Sequence, residues 1–194
     1  MQLPIDPSLA KVASAYGWRT LAGRPDYHTG IDFAAPEGSP VYAAQAGSIV
    51  RVYEPGELNA YGRTIVIQHS TTPPLFTLYA HLQTATSAAA GTAIAAGQQI
   101  GTVGRTAGTR ADPTRLFQQS GSHLHFEALA KWPAKPDEDR YDPVAALGLV
   151  LPTGSRPSAT QAAAGAGAGL LLAFMLWAYN RKDRRRPSDH LIGV

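Results

Sequence analysis

Two histidines two residues apart, His123 and His125, stand in the segment SHLHFE, whose neighbours read as a β-strand. Side chains alternate along a strand, so both imidazoles leave by the same face and can meet at one point. Four of the six histidines fall into short segments of this kind. YHTGIDF supplies His28 and Asp32 on either side of Gly30, and LYAHL supplies His81. A mononuclear catalytic zinc takes three nitrogen or oxygen ligands and keeps one position open. Two histidines and one carboxylate meet that need, and the two remaining imidazoles can exchange protons near neutral pH. The chain has no cysteine, which excludes a thiolate zinc site, a cysteine nucleophile and disulfides together.

The elements that must position these groups are short strands. GSIVRVYE, RTIVIQHS, LFTLYAHL, QQIGTVG and SHLHFEAL alternate or run apolar for several residues and are rich in Val, Ile, Tyr and Phe. Turn signals at PEGSP, YEPGELNAYG and TTPP separate them, and no long amphipathic helix is indicated. The 194 residues suffice for one domain and an appendage. The reading is a mainly β, antiparallel domain. A long irregular stretch, residues 105–121, runs directly into the histidine pair, and loops of that length are often functional.

HTGIDF, YAHL and SHLHFE, in that order and preceded by YGWR, closely resemble the motifs of the LytM/lysostaphin-type zinc endopeptidases, peptidase family M23. GSPVYAAQAGSIV and GTAIAAGQQIGTVG resemble that family's strand and turn segments, so the likeness covers residues 14–130. It implies a small antiparallel sheet of the duplicated-hybrid-motif type with a narrow groove and zinc on its floor. Carried over by position, it implies one zinc per chain held by His28, Asp32 and His125, with His81 and His123 as catalytic residues flanking the attacking water. The implied substrate is the peptide part of bacterial peptidoglycan, in cross-links or interpeptide bridges. The 105–121 loop is longer than the family's usual short Gly/Ser run, which leaves groove shape and substrate open.

The net charge of +3 is local. Of 17 Lys and Arg, five (Arg181, Lys182, Arg184, Arg185, Arg186) lie in the tail, against two of the 14 Asp and Glu; the remaining twelve of each cancel. With no basic face on the domain, nucleic acid is not an expected partner. Residues 157–180 carry no charge, and roughly twenty such residues can cross a bilayer as a helix. Trp177 and Tyr179 fall where interfacial aromatics sit, and Gly165 and Gly169 form a G-x-x-x-G pair that could associate two helices. The expected organisation is a peptidase-type domain over 1–150 with its core in 14–130, a Pro/Ser/Thr/Gly linker over 151–161, a transmembrane helix over 162–180 and a basic tail over 181–194. The basic cluster should stay cytoplasmic, leaving the domain extracytoplasmic. The opening MQLPIDPSLAKVASAYGWR lacks the apolar run of a signal peptide, so a reverse anchor or the membrane of a phage particle enters as the setting.

Other residues are expected to be quieter. His69, entering a turn after an apolar strand, reads as structural, and His190 as solvated. Glu127 shares a strand face with His125; it is expected beyond the site in a polar rim, the alternative being that it accepts a hydrogen bond from a histidine. Tyr27, Tyr79 and Arg19 either line the groove or pack. A non-catalytic binding or activator module for other wall hydrolases is the competing class, and it should have lost ligands that are all present here. A biotinyl- or lipoyl-type carrier is excluded because Leu82–Gly104 contains no lysine.

Overall fold

Four of the five alternating segments each become one strand, and the fifth, LFTLYAHL, is divided between two. The computed structural model describes residues 1–9, 11–21, 23–107, 121–135 and 138–151. Among these the chain forms β1 (Lys11–Ser14), β2 (Gly17–Leu21), β3 (Arg24–His28), β4 (Ile31–Ala34), β5 (Pro40–Tyr42), β6 (Gly47–Tyr53), β7 (Thr64–Thr71) and β8 (Pro74–Ala80). β9 (Leu82–Ala85), β10 (Ala93–Ile94), β11 (Gln99–Val103), β12 (His123–Leu129), β13 (Arg140–Tyr141) and the short helix α1 (Pro143–Leu147) follow. The main sheet runs β1-β4-β12-β8-β7-β6-β10, with β13 also on β12. β5-β11-β9 make a second sheet and β2-β3 a hairpin, and the pairings are antiparallel throughout.

Period-two alternation decides which face of the main sheet is apolar. Ile31 and Phe33 of β4, Leu124, Phe126 and Ala128 of β12, Tyr79 of β8, and Ile65 and Ile67 of β7 bury against the second sheet's Val41, Leu82, Ile100 and Val103. Each large side chain removed from water there stabilises the fold by roughly 1.5–3 kcal/mol. The core also takes in Ile5, Leu147 and Leu149, outside the 14–130 segment. α1 returns the last two: Asp142 caps it by accepting from the Val144 amide at 2.9 Å, and Gly148 ends it at φ +56°.

The opposite face is divided. At one end Val66, Leu78, Ala80 and Leu129 form a smaller apolar cluster, covered by Leu58, Tyr61, Trp132 and Ala134. At the other end β12 and β4 carry His123, His125 and Asp32. A one-residue slip of β12 would exchange this polar set for Leu124 and Phe126, so burial of the apolar face fixes the register.

LFTLYAHL is not one strand: His81 breaks it at φ +61°, separating β8 from β9. Among the described residues no helix is long and apolar enough to cross a membrane. Beyond Leu151, the expected linker, the 162–180 helix with its Gly165/Gly169 pair and the basic tail with His190 lie outside the described residues. So do residues 108–120 of the long loop.

His69 is structural. Burial holds its imidazole below the ordinary value, and the neutral ring donates from Nδ1 to the Ala46 carbonyl at 2.9 Å while Nε2 takes the Thr77 hydroxyl at 2.6 Å. Thr77 Oγ1 is hydrogen-bonded to the Tyr79 hydroxyl at 3.1 Å, which also accepts the buried Ala44 amide at 2.9 Å. Tyr79→Phe leaves that amide without its acceptor, and urea denaturation should show a loss of about 1–3 kcal/mol.

Candidate metal centre

Three ligand-type atoms from two strand ends and a strand centre converge. His28, the last residue of β3, brings Nε2 to 3.1 Å from Asp32 Oδ1 and 3.1 Å from His125 Nδ1; His125 Nδ1 is 2.8 Å from the same Asp32 oxygen. Among the described residues these three are the set that could hold a metal ion. Ligand bonds of about 2.0–2.1 Å in a tetrahedron put ligand atoms roughly 3.3 Å apart, so the donor set fits zinc with shifts of a few tenths of an ångström.

The strand register builds this directly. His125 of β12 pairs with Asp32 of β4 on one side and Ala80 of β8 on the other, and Ser14 of β1 lies beside Asp32. Gly30, inside HTGID, explains itself by close approach. A Cβ there would collide with the Phe126 carbonyl oxygen and come within 2.9 Å of Glu127 Cγ and 3.0 Å of His125 Cε1. Only a bare backbone lets the β3–β4 turn lie against β12 and bring His28 and Asp32 to His125.

The two histidines present different nitrogens. His28 donates from Nδ1 to the Ala15 carbonyl at 2.8 Å, with Ser14 Oγ at 3.3 Å, so Nε2 faces the centre. His125 donates from Nε2 to Glu127 Oε1 at 3.0 Å, so Nδ1 faces the centre. Each tautomer is set by the bond on the far nitrogen. Arg19 supports the first side: Nε donates to Asp26 Oδ2 at 2.6 Å and Nη1 to Ser14 Oγ at 2.6 Å, and Nη1 lies 3.6 Å from Asp32 Oδ2.

Charge is concentrated and mutually compensated. Burial pushes the Asp32 carboxyl up, but its close interactions with His125 and His28 outweigh burial and hold it well below the usual carboxylate range. Burial opposes charge on His125, yet its bonds to Asp32 and Glu127 push it up to about 9. Glu127, despite burial, is drawn down to about 2 by His125 and Arg140. A proton on His125 Nδ1 and a bound cation would occupy the same position, so metal and proton compete for that atom.

The other two site histidines stand beside this centre. The His81 ring lies 4.7 Å from that of His123 and 5.8 Å from that of His125, centroid to centroid. His81 donates from Nδ1 to the Thr106 carbonyl at 2.8 Å, and its amide donates to the Tyr61 carbonyl at 2.9 Å. These bonds hold it in its left-handed conformation. Burial, then electrostatic repulsion from the neighbouring His125 and His123, push its imidazole down to about 3. His123 is more exposed; its Nδ1 donates to the Gly121 carbonyl at 2.9 Å, and its Nε2 lies 3.9 Å from Asp32 Oδ1.

All five sequence-derived site residues are thus brought together, while the ancillary ones sort differently. Tyr79 is in the core, and Tyr27 packs edge-on against Trp18 and Tyr16. Glu127 does not lie in a polar rim: it is fully buried and bonded to His125. Its position two residues after His125, on the same strand face, was the available signal. Thr29, Tyr61 and Arg140, which surround Glu127, carried no sequence signal.

A family model described as Peptidase family M23 matches residues 26–142. The DD-carboxypeptidase/endopeptidase Mpg of Neisseria meningitidis is 34% identical over 154 residues, which are 78% of this chain and 29% of Mpg. The peptidoglycan DD-endopeptidase ShyC of Vibrio cholerae is 33% identical over 133 residues, 66% of this chain and 26% of ShyC. The chain therefore spans less than a third of the length of these curated relatives. Among solved structures, a variant catalytic domain of the prophage-encoded M23 protein EnpA from Enterococcus faecalis is similar at a TM-score of 0.55 and 28% identity, over 73% of this chain and 94% of that one. The catalytic domain of the antimicrobial peptidase lysostaphin from Staphylococcus simulans is similar at 0.56 and 27%, over 72% and 92%.

Adding one methyl group tests the geometry. Gly30→Ala should force the β3–β4 turn off β12, destabilising the chain by about 1–3 kcal/mol in a urea titration. Zinc affinity, measured against a chelator, should fall about tenfold or more, the scale seen when support of a ligand is lost.

Proposed function

The chain belongs to peptidase family M23, a family of zinc peptidases, and we propose that it is an endopeptidase hydrolysing peptide bonds in bacterial peptidoglycan. The observation that carries this reading is the convergence of His28 Nε2, Asp32 Oδ1 and His125 Nδ1, with the His81 and His123 rings packed beside them. The three converging residues are the proposed zinc ligands. Zinc, when bound, supplies Lewis acidity, lowering the pKa of water towards neutrality and polarising a carbonyl.

The chain's own residues supply the rest. His81 commits Nδ1–H to the Thr106 carbonyl, so its lone pair is on Nε2, the atom assigned to take a proton from the attacking water and return it to the leaving amine. His123, with Nδ1 committed to Gly121, offers Nε2–H in its protonated form to the developing oxyanion from the more exposed side. The names of Mpg and ShyC favour cross-links between stem peptides as the bond cut. A binding-only module would need none of these five side chains, and all are in place.

The uncharged run before the basic tail supports a further part of the reading: residues 162–180 anchor the protein in a bilayer, with the tail cytoplasmic and the catalytic domain on the peptidoglycan side. The membrane of a phage particle is the alternative setting.

Incubation of the zinc-loaded chain with purified peptidoglycan, followed by mass spectrometry, should show peptide fragments with new free amines; release of new reducing ends alone overturns the reading. His81→Ala and His123→Ala should each retain zinc and lose turnover by about 10²–10⁴-fold. The full-length chain should resist extraction from membranes by alkali and yield to detergent; release by high salt or alkali alone removes the anchor.

A further inference from the structure

Glu127 has none of its surface exposed, and three other segments of the chain meet on it together with His125 of its own strand. Its Oε1 accepts from Thr29 Oγ1 of the β3–β4 turn at 2.6 Å, from the Tyr61 hydroxyl at 2.7 Å and from His125 Nε2 at 3.0 Å. Its Oε2 accepts from Arg140 Nε of β13 at 3.0 Å, and Arg140 Nη2 donates to the Tyr61 hydroxyl at 3.2 Å. The Arg140 side chain is itself only 7% exposed, and its Nη1 donates to the Lys135 carbonyl.

Such a cluster is not explained by stability. A buried ion pair gains little over apolar residues of the same volume, and the neighbouring Val66, Leu78 and Leu129 show that this sheet face accepts apolar packing. What the cluster does is hold one imidazole in one state. An imidazole ring can turn over about its Cβ–Cγ bond, which would take Nδ1 away from the centre and put a carbon there. Glu127 Oε1 gives Nε2–H a partner only in the orientation that points Nδ1 at Asp32 and His28.

We propose that Glu127 is a positioning residue for the metal centre, and that Arg140 and Tyr61 anchor it so that His125 presents Nδ1 to the ion. The inference rests on the assignment of His28, Asp32 and His125 as zinc ligands. It extends the functional unit beyond the histidine motifs to β13, a two-residue strand whose Arg140 pairs across from Leu129 and holds the carboxylate behind the ligand.

Zinc affinity by chelator competition on the full chain, together with the visible absorption of its Co2+ derivative, tests this. Glu127→Gln and Arg140→Met should weaken zinc about 10–100-fold and alter the Co2+ spectrum, which reports ligand geometry. Arg140→Lys should recover part of the affinity, and Tyr61→Phe, the mildest change, should weaken zinc severalfold in a chain with an unaltered circular dichroism spectrum. If Asp32→Ala abolishes tight zinc binding while Glu127→Gln, Arg140→Met and Tyr61→Phe bind zinc as wild type does, with the same Co2+ spectrum, the positioning role is wrong and the site stands. Should Glu127→Gln or Arg140→Met fail to fold, Tyr61→Phe decides: unchanged zinc affinity in that variant overturns the proposal. If Asp32→Ala itself binds zinc like wild type, the ligand assignment fails instead.

Discussion

The pairing of β12 between β4 and β8 is the constraint on which the rest of the structure depends. It sets His125 opposite Asp32, places His123 one step along on the same face, and brings the end of β8, with His81 just beyond it, to the other flank. The register is enforced from behind, where Leu124, Phe126 and Ala128 interlock with Phe33 and Tyr79. Apolar packing on one face therefore positions polar chemistry on the other, with no side chain needed in both roles.

The price of that arrangement is a polar patch inside a β-domain. Asp32, Glu127, His28, His81 and His125 are all withdrawn from water to a large degree, a state tolerated because each is bonded to another member or to a carbonyl. Arginines close the network on both sides, Arg19 towards Asp32 and Ser14, Arg140 towards Glu127 and Tyr61. Each lies outside the five-residue constellation, and each comes from a peripheral pairing, the β2–β3 hairpin and β13. Small edge elements thus carry the support of the central His28, Asp32 and His125 cluster.

The left-handed His81 belongs to the same logic. Its backbone turns out of β8 so that the ring packs edge-on against the His123 ring, and the amide and Nδ1 are held by Tyr61 and Thr106. Gly62 and Thr106 are themselves in such close approach that a Cβ on Gly62 would collide with the Thr106 carbonyl. The 54–63 loop consequently touches both halves of the site, His81 through the Tyr61 backbone and His125 through the Tyr61 hydroxyl and Glu127.

By itself the sequence determined the antiparallel β class, five strands close to their observed limits, and the common face of His123 and His125, because side-chain alternation is a local property. HTGIDF and YAHL marked the remaining three site residues through resemblance, not through any physics visible in one dimension. Tertiary structure alone decided that His28 and His125 offer opposite nitrogens, since each tautomer depends on a partner, Ala15 O or Glu127, brought by folding. It decided why position 30 is glycine, a matter of backbone proximity to Phe126, and why His81 leaves the strand that its neighbours continue. It also decided that Glu127 is interior and not rim. Alternation placed it on the face of His125, but burial and its bonds to Thr29, Tyr61 and Arg140 arise from contacts between segments 66 to 98 residues apart on one side and 13 on the other, which no local pattern encodes.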